Sequence, residues 1–294
     1  MDQKNQAAHP TGKSVLVTGA TSGLGRAAAI YLAERGYRVF AAGRSAERRA
    51  ALQATSRERQ LALTTLEMDV RDDGSVDGAM AQIAAAGASI DVLINNAGVA
   101  YVAPVEEIRI ADLREQFEIN IFGAVRVAQR VLPNMRARGQ GRIINMSSMA
   151  GRLALPLFGA YSGSKFALEG MTDALRLEVY PFGIDVVLIE PGYIPTAMEQ
   201  TAMELGNSYH ETLKHGPYAN VYRGFVRAWR RGTSGTRTTP EDCARVILRA
   251  VRETPPRTRY TVTPGSQFML WGKRLLPERL RDRLMRRAFF LKRP

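Results

Sequence analysis

Short apolar runs alternate with longer segments of helical periodicity along most of the chain. Residues 14–18, Ser-Val-Leu-Val-Thr, form the first apolar run, and a helix is predicted over 23–35. The runs are continuously apolar, which is typical of parallel strands that are covered on both faces of a sheet. The same pattern predicts further strands over 38–42, 63–70, 91–95, 142–147 and 184–190, and further helices over 45–60, 72–86, 112–138 and 160–180.

This alternation predicts an α/β fold built on a doubly wound parallel sheet. Right-handed crossovers between parallel strands place helices on both faces of such a sheet. The segment 195–238 interrupts the pattern, because it is rich in Gly, Tyr, Met and Arg and has no strand signal. A helix start is predicted at 239–242, where proline occupies the first turn next to two carboxylates, and a last strand over 257–263. We predict one domain over 11–263, followed by an extension over 264–294.

Length and composition are ordinary for a globular protein, but the charge is not. The 294 residues suffice for a substantial core, and 45% are hydrophobic and 23% charged. The formal net charge is +13, and within 273–294 nine Lys or Arg residues stand against Glu278 and Asp282. Such a concentration of charge concerns partners and solubility more than the fold. No nucleic-acid-binding motif accompanies it, so no nucleic-acid partner is predicted.

The cysteines, the histidines and the lengths of the apolar runs indicate the cellular compartment and whether a metal is bound. The single cysteine, Cys243, excludes an internal disulfide and favours a reducing compartment. His9, His210 and His215 have no evident Cys or carboxylate partners, so no metal site is predicted. The first dozen residues lack a secretory signal, and no apolar run approaches the roughly 18 residues of a membrane span. A cytoplasmic location is predicted.

A glycine-rich turn joins the first predicted strand to the first predicted helix. Gly19, Gly23 and Gly25 allow a sharp bend and a close approach of phosphates, which the helix N-terminus attracts through its N–H groups and dipole. Their spacing, Gly-x3-Gly-x-Gly, differs from the commonest dinucleotide fingerprint, and an ordinary strand–turn–helix is the alternative. The position at the first junction of an alternating chain favours dinucleotide binding. The turn is Thr18-Gly19-Ala20-Thr21-Ser22-Gly23-Leu24-Gly25.

The end of the second predicted strand indicates which dinucleotide is bound. An acidic residue that would hydrogen-bond a ribose 2′-hydroxyl is missing there, and Arg44 presents a guanidinium fork instead. Ser22 and Ser45 add possible donors. An ordinary solvated arginine at a helix start is the alternative, but with no carboxylate to repel a 2′-phosphate, NADP(H) is favoured over NAD(H).

Tyr161 and Lys165 are spaced for proton transfer, because residues i and i+4 share one face of a helix. A free tyrosine has a pKa of about 10, and we expect the Lys165 ammonium to lower that of Tyr161 by roughly 3 units. Ser148 follows a predicted strand and can hydrogen-bond a substrate oxygen. A Tyr-x-x-x-Lys pair alone is common on amphipathic helices. The glycine turn and the upstream serine give it weight.

Taken in order, these motifs resemble the short-chain dehydrogenase/reductase family over roughly residues 11–263. The resemblance implies a Rossmann fold and hydride transfer between NADP(H) and a carbonyl or alcohol carbon. The matching motifs are Thr18-Gly19-x-x-x-Gly23-x-Gly25, Asp69-Val70, Asn95-Asn96-Ala97-Gly98, Asn120, Ser148, Tyr161-x-x-x-Lys165 and Pro191-Gly192.

The resemblance also implies a role for each matched residue. Tyr161 donates the proton, Ser148 orients the carbonyl, and Asn120 holds a water that links Lys165 to solvent. Asp69 and Val70 contact adenine, and Asn96 braces the sheet beside the cofactor. The implied cofactor-binding residues are Gly19, Thr21, Ser22, Gly23, Leu24, Gly25, Arg44, Asp69, Val70, Asn96, Ala97, Gly98, Tyr161, Lys165, Pro191, Gly192, Ile194 and Thr196.

The amino-acid sequence at 161–170 and 189–196 is similar to that of the hydroxysteroid and retinol dehydrogenase branch. This resemblance implies that the substrate is an apolar, fairly bulky ketone, aldehyde or secondary alcohol. The segment 195–238 is the predicted substrate lid. Its aromatic and methionine residues either line an apolar pocket or pack within a helical lid, and both alternatives stay open. They are Tyr193, Met198, Met203, Tyr209, Tyr218, Tyr222, Phe225 and Trp229.

The extension 264–294 combines arginines with leucines and phenylalanines in a basic amphipathic pattern. Such a helix either lies on an anionic membrane surface or packs on its own subunit and closes the pocket. Family resemblance and the long helices 112–138 and 160–180 imply a homodimer or homotetramer. A non-catalytic dinucleotide-binding regulator on the same fold is the alternative function.

Overall fold

Seven parallel strands form the centre of the fold in a computed structural model, which describes residues 12–196, 209, 213–235 and 237–291. The order across the sheet is β3-β2-β1-β4-β5-β6-β7, and every pairing is parallel. The predicted doubly wound sheet is confirmed. The strands are β1 Ser14–Val17, β2 Arg38–Gly43, β3 Leu63–Glu67, β4 Val92–Asn95, β5 Gly141–Met146, β6 Ile184–Glu190 and β7 Arg259–Thr261.

Helices cover both faces of this sheet, as the predicted crossovers require. Alternate residues of each strand point to opposite faces, so Val15 belongs to one apolar cluster and Leu16 to the other. The described helices are α1 Gly23–Ala33, α2 Ala46–Glu58, α3 Asp73–Ala85, α4 Ile110–Phe117, α5 Gly123–Ala137, α6 Gly159–Val179, α7 Ala219–Thr233, α8 Pro240–Arg252, α9 Ser266–Leu275 and α10 Glu278–Ala288.

The helix predicted over 112–138 is interrupted in the structure. A π-helical turn, Glu118–Phe122, separates α4 from α5 and contains the buried Asn120. An apolar periodicity reports which residues face the core, but it does not distinguish a continuous helix from one with a locally wider turn. Such turns occur often at functional sites.

Two predicted strands are shorter than expected, and one predicted helix start is confirmed. β3 ends at Glu67, so Met68, Asp69 and Val70 leave the sheet at its edge. β7 is confined to Arg259–Thr261. α8 begins with a capping box, in which Thr239 Oγ1 accepts from the Asp242 N–H and the Asp242 carboxylate accepts from the Thr239 N–H.

The sheet order reverses between β1 and β4, because β1 continues outward to β2 while β4 begins the other half. Loops that follow the carboxyl ends of these strands diverge and leave a crevice, which is where ligands bind in open α/β sheets. The glycine turn follows β1 and the segment 96–101 follows β4. Within the described residues, no helix is long and apolar enough to cross a membrane.

Candidate active site

The glycine turn after β1 adopts a conformation that other residues rarely take. Gly19 and Gly23 have φ angles of 62° and 52°, in the left-handed region. Gly25 is needed for another reason: a Cβ there would overlap Nδ2 of Asn96 and lie 2.5 Å from the carbonyl oxygen of Gly19. α1 therefore approaches the end of β4 as closely as its backbone allows.

Asn96 and Thr18 lock the ends of β1 and β4 together. Asn96 Nδ2 donates to the carbonyl oxygens of Thr18 at 3.0 Å and Gly19 at 3.1 Å. In return, Thr18 Oγ1 accepts from the N–H groups of Asn96 at 3.0 Å and Ala97 at 3.1 Å. These reciprocal bonds hold the turn in the shape that the crevice requires, so Asn96 braces this edge of the sheet.

A cleft of about 510 Å³ opens over the turn, and we call it the cofactor cleft. Twelve residues predicted to bind the cofactor line it: Gly19, Thr21, Ser22, Gly23, Leu24, Arg44, Asp69, Val70, Asn96, Ala97, Gly98 and Thr196. Ser45, predicted as a possible donor, also lines it, together with residues that the prediction omitted or named only as neighbours in a motif: Thr18, Ala42, Gly43, Arg48, Met68, Val99, Ala100 and Ile119.

Six predicted cofactor residues are not in this lining: Gly25, Tyr161, Lys165, Pro191, Gly192 and Ile194. The side chain of Ile194 is buried in the apolar core that contains α1 and α8. The Gly192 N–H donates to Thr263 Oγ1 at 2.9 Å, and the carbonyl oxygen of Pro191 accepts from the Met149 N–H at 2.9 Å. The prediction placed this segment by motif position alone, which does not show which way a side chain points.

Arginines and one carboxylate meet at the outer end of the cofactor cleft. Arg44 is 53% exposed, and its Nη1 lies 3.8 Å from Oδ2 of Asp69. Burial opposes ionisation of Asp69, but hydrogen bonds from Arg71 hold its pKa below the ordinary value. Arg48, in the first turn of α2, lines the same end. It stands four residues after Arg44, and this spacing was the sequence signal from which a second arginine in the cleft could have been predicted.

Tyr161 and Lys165 are both buried on the first turns of α6, at the inner end of the crevice. Lys165 Nζ donates to the carbonyl oxygen of Met146 at 2.7 Å and lies 5.8 Å from the centre of the Tyr161 ring. Burial lowers the pKa of Lys165 to about 8, although the carboxylate of Glu169 opposes this change. The expected i, i+4 pairing is present in the structure.

The expectation that Lys165 lowers the pKa of Tyr161 is wrong. Burial raises the pKa of Tyr161, and only a hydrogen bond with Ser148 acts in the opposite direction. The reason is that Lys165 shares the same desolvated site and directs its ammonium to Met146. Tyr161 consequently holds its proton at neutral pH and is suited to donate it.

Ser148 follows β5 and caps a short 3₁₀ turn, Met149–Gly151. Its Oγ accepts from the Ala150 N–H at 3.1 Å and lies 3.5 Å from the carbonyl oxygen of Pro191. The cap fixes the position of the hydroxyl, which is also the group that hydrogen-bonds Tyr161. The Ser148 and Tyr161 hydroxyls therefore lie close to each other, and their roles stay a prediction.

Asn120 is fixed by the loop after β4 and by α6. Its Nδ2 donates to the Val99 carbonyl oxygen at 3.0 Å and to Ser164 Oγ at 2.9 Å, and its Oδ1 accepts from the Val99 N–H at 2.9 Å. A Cβ on Gly98 would lie 3.2 Å from Asn120 Oδ1 and 3.8 Å from Lys165 Nζ. Glycine at this position leaves the space between Asn120 and Lys165 open.

An aromatic cluster adjoins Tyr161. The Phe158 ring meets Tyr161 edge-on with centroids 6.0 Å apart, and packs on Phe225 at 5.5 Å and Trp229 at 5.6 Å. Phe289 stacks on the far side of Phe225 at 6.1 Å. With Tyr193, which meets Trp229 at 5.1 Å, these residues form what we call the aromatic cluster. It includes residues of the predicted lid and of the C-terminal extension.

The predicted pocket residues have different positions in the structure. Tyr209 is buried, and its hydroxyl bonds the carboxylate of Asp112 and the N–H of Arg109. Tyr218 and Tyr222 are partly buried in the apolar cluster that contains Phe225. Met198 and Met203 lie outside the described residues. Within the part of the chain that the structure describes, no group of three or more His, Cys, Asp or Glu side chains is arranged to hold a metal.

Comparisons with known proteins agree with this geometry. The family model of the short chain dehydrogenases matches residues 13–205. An NADPH-dependent 3-dehydrocapnine reductase from Ornithobacterium rhinotracheale is 33% identical over 277 residues, which cover 92% of this chain and 94% of that protein. Human retinol dehydrogenase 8 (Homo sapiens) is 34% identical over 260 residues, covering 85% of this chain and 81% of that protein.

A solved structure shows the same fold. It is a short-chain dehydrogenase/reductase from Burkholderia phymatum in complex with NAD, with a TM-score of 0.77 and 24% identity over 93% of this chain and 95% of that one. The glycine turn, the buried Tyr-x-x-x-Lys pair and the match of the family model lead to one assignment. The chain belongs to the short-chain dehydrogenase/reductase family of oxidoreductases.

Proposed function

We propose that this protein is an NADP(H)-dependent oxidoreductase that interconverts an apolar ketone or aldehyde and the corresponding alcohol. The convergence of Ser148 and Tyr161 beside the buried Lys165 carries the proposal. Gly98, which lines the cofactor cleft, lies beside Lys165, and the glycine turn of that cleft suits a pyrophosphate. When bound, the nicotinamide supplies the hydride, and the protein supplies the proton and the orientation.

In the direction of reduction, the protein's part is to hold the carbonyl and protonate its oxygen. Ser148 Oγ and Tyr161 Oη would hydrogen-bond the carbonyl oxygen, and the phenolic proton would pass to that oxygen as hydride reaches the carbonyl carbon. The phenolate that results would lie beside the Lys165 ammonium, which stabilises it. Both ends of the Asn120 amide have protein partners, so its role in returning the proton would run through its backbone.

The preference for NADP(H) is supported by the outer end of the cofactor cleft. Arg44 and Arg48 line it, and Asp69, the one carboxylate among the described lining residues, is engaged by Arg71. Guanidinium groups bind phosphate strongly and bidentately. The name of the Ornithobacterium rhinotracheale relative is in keeping with this preference, whereas the Burkholderia phymatum structure contains NAD. Cofactor preference therefore needs a direct comparison of the two dinucleotides.

An apolar substrate is supported by the aromatic cluster next to Tyr161. A carbonyl compound that reaches Tyr161 from this side would contact Phe158 and Trp229 rather than charged groups. Retinol dehydrogenase 8, by its name, acts on a bulky apolar alcohol. We extend this property to the present chain as part of the proposal.

The experiment is oxidation of NADPH or NADH by the purified full-length protein with ketones and aldehydes of increasing apolar size. We expect NADPH to be consumed with lipophilic carbonyls, and Tyr161→Phe to abolish the reaction. If the protein binds NADPH tightly but turns over no carbonyl or alcohol in either direction, the non-catalytic regulator is the better description. Faster turnover with NADH would contradict the cofactor proposal while leaving the oxidoreductase proposal standing.

The extension 264–294 is proposed to close the substrate pocket with one face of its last helix. Phe289 is buried against Phe225, and Met285 packs in the same apolar cluster. The opposite face of α10 leaves Leu280 and Leu284 exposed among arginines. This face would provide peripheral contact with an anionic membrane from a cytoplasmic location, which is the second part of the proposal.

A homodimer or homotetramer is also proposed. Family members often assemble, and this chain leaves Phe122, Met171 and Leu177 exposed along α6 and the π-helical turn before α5. Exposed apolar side chains grouped on neighbouring elements favour association. Light scattering on the purified protein tests this, and a monomer at micromolar concentration would contradict it.

A further inference from the structure

A line of ionised side chains continues along α6 from Lys165. Glu169 and Asp173 follow it at four-residue steps, so all three lie on one face of the helix. Glu169 is only 5% exposed, and its Oε2 accepts from Arg259 Nε at 3.1 Å. Asp173, nearer the surface, bonds Arg259 Nη2 at 2.6 Å. A carboxyl group deep in the protein thus lies one helical turn from the proposed catalytic lysine.

Three other elements complete this group. Glu190, the last residue of β6, is 1% exposed, and its Oε1 lies 3.3 Å from Arg259 Nε and 2.9 Å from Arg152 Nη1. Arg259 comes from β7 and Arg152 follows the 3₁₀ turn after Ser148. The charge cluster consists of three arginines and three carboxylates joined by ion pairs, with Lys165 one helical turn away: Arg152, Arg176, Arg259, Glu169, Asp173 and Glu190.

Gly151 shows how closely the space between Lys165 and Glu169 is filled. A Cβ on this buried glycine would lie 3.1 Å from the Lys165 carbonyl oxygen, 3.2 Å from Glu169 Cγ and 2.7 Å from Ser147 Oγ. The turn that positions Ser148 is therefore packed directly on the helical turn between Lys165 and Glu169. Where little water can enter, charges interact much more strongly than at the surface.

Stability alone does not account for such a group. The cost of desolvating buried ions is about as large as the attraction between them, so buried ion pairs add little to the free energy of folding. A carboxylate one turn from a buried ammonium, however, favours the charged form of that ammonium.

We propose that Glu169 is a positioning residue of the active site, whose carboxylate, held by Arg259 one helical turn from Lys165, supports the charged form of the Lys165 ammonium. The inference rests on the proposed catalytic role of Lys165. Glu169 does not touch substrate or cofactor in this scheme and acts only through Lys165. Arg259 holds Glu169 in place from β7 and also pairs with Glu190 at the end of β6.

The pH dependence follows from the groups that face this pair. Burial lowers the pKa of Lys165 to about 8, and Glu169 opposes that change. Burial raises the pKa of Glu169, while the Ser147 hydroxyl and Arg259 oppose the rise and Glu190 adds to it. Arg152 and Lys273, which donates to the Arg152 carbonyl oxygen, add positive charge nearby. Removing the Glu169 charge therefore makes Lys165 lose its proton at a lower pH.

The test is the pH profile of kcat/KM for Glu169→Gln, with melting temperature and NADPH affinity measured beside it. Activity should fall at alkaline pH as Lys165 loses its proton, and in Glu169→Gln this fall should begin at lower pH. With activities normalised at pH 6.5, we expect at least about a 2.5-fold loss at pH 8.5 relative to the unmodified protein, which corresponds to a shift of about half a pH unit. Glu169→Asp, which keeps the charge, should recover part of the loss.

Asp173→Asn is the matched control, because it removes the other α6 carboxylate bound to Arg259 one turn further from Lys165. Its profile should match that of the unmodified protein. If Glu169→Gln folds and its kcat/KM falls at the same alkaline pH as that of the unmodified protein, the inference is overturned. If its melting temperature is also lower, Glu169 has a structural role only. If Glu169→Gln does not fold, the other two variants decide. The inference is also overturned if the alkaline fall in kcat/KM is unshifted in Glu169→Asp but shifted in Asp173→Asn. Lys165→Met separates the two hypotheses: full activity in that variant would contradict the proposed function itself.

Discussion

At the scale of single residues, burial decides the chemistry of the site more than the pairing of side chains does. Tyr161 and Lys165 occupy the same desolvated region, so the neutral form of each is favoured. A tyrosine that keeps its proton is a donor, whereas a phenolate would be a base.

Replacing Tyr161 with Phe removes the proton donor and leaves the ring that packs on Phe158. We expect turnover to fall by at least about 10²-fold, the lower range for loss of a general acid, while the melting temperature and NADPH binding stay close to those of the unmodified protein. Steady-state kinetics and cofactor titration measure the two effects separately. Near-normal turnover would contradict the role of Tyr161.

Replacing Arg44 with Ala tests cofactor selection. A charge-assisted hydrogen bond contributes about 1.5–3 kcal/mol, so NADPH affinity should fall roughly 10- to 150-fold, while NADH affinity changes little. Arg48→Ala is the comparison, because Arg48 lines the same end of the cofactor cleft. Equal losses for NADPH and NADH would show that Arg44 does not distinguish them, and a loss only in Arg48→Ala would assign the selection to Arg48.

At the scale of elements, two glycines set how closely helices approach their neighbours. Gly25 allows α1 to approach Asn96 and Gly19, and Gly224 allows α7 to approach the backbone at Phe289. In both places a Cβ would meet groups that a small rotation does not move away. These contacts join elements that are distant in sequence, so a substitution at each glycine tests one interface between two elements.

Gly25→Ala should destabilise the protein and weaken NADPH binding, because its Cβ would overlap the Asn96 amide that braces β1 and β4. Gly78→Ala is the matched control: Gly78 lies inside α3 with no atom within 4 Å of the added Cβ. There we expect a gain of about 0.5–1 kcal/mol in the free energy of unfolding, from the higher helix propensity of alanine. Denaturant unfolding and cofactor titration measure both variants. Equal stability of the two would contradict the packing argument.

Gly224→Ala should displace the end of the C-terminal extension without touching the cofactor cleft. Its Cβ would overlap the Phe289 carbonyl oxygen and lie 3.2 Å from the carbonyl carbon, whereas a Cβ on Gly232 of the same helix meets nothing within 4 Å. If the extension closes the pocket, KM for bulky apolar substrates should rise severalfold in Gly224→Ala, and Gly232→Ala should behave normally. NADPH affinity should be unchanged in both. An unchanged KM for every substrate would show that Phe289 packs without influencing the pocket.

At the scale of the whole molecule, charge is distributed unevenly. α7 and α10 together carry nine arginines against Glu278 and Asp282, and their C-terminal ends meet where Arg231 lies 5.0 Å from the Phe290 ring. They therefore account for a net charge of +7 out of +13. This basic surface adjoins the helix faces that pack in the aromatic cluster. A lipid-like substrate that left a membrane here would have a short path to Tyr161.

Vesicle binding tests this distribution of charge. The full-length protein should sediment with vesicles that contain phosphatidylglycerol but not with phosphatidylcholine vesicles. Binding should weaken with added salt, because screening reduces interactions between exposed charges beyond about 8 Å at physiological ionic strength. Arg283→Glu with Arg287→Glu should abolish it, and Arg57→Glu with Arg252→Glu, of equal charge change elsewhere, should not. Salt-insensitive binding or no binding would leave the extension with a packing role only.

The sequence by itself determined the fold class and the main chemical groups. Continuous apolar runs with helical segments between them specify a parallel sheet covered on both faces, and Gly19, Gly23, Tyr161 and Lys165 act through short spacings that secondary structure converts directly into geometry. The tertiary structure decided the π-helical turn at Asn120, the burial of the Ile194 side chain, and the contact between Phe225 and Phe289. It also reversed the expected pKa shift of Tyr161 and joined Glu169 to Arg259, ninety positions further along the chain. Local spacing cannot predict these features, because they depend on which distant elements exclude water from a site.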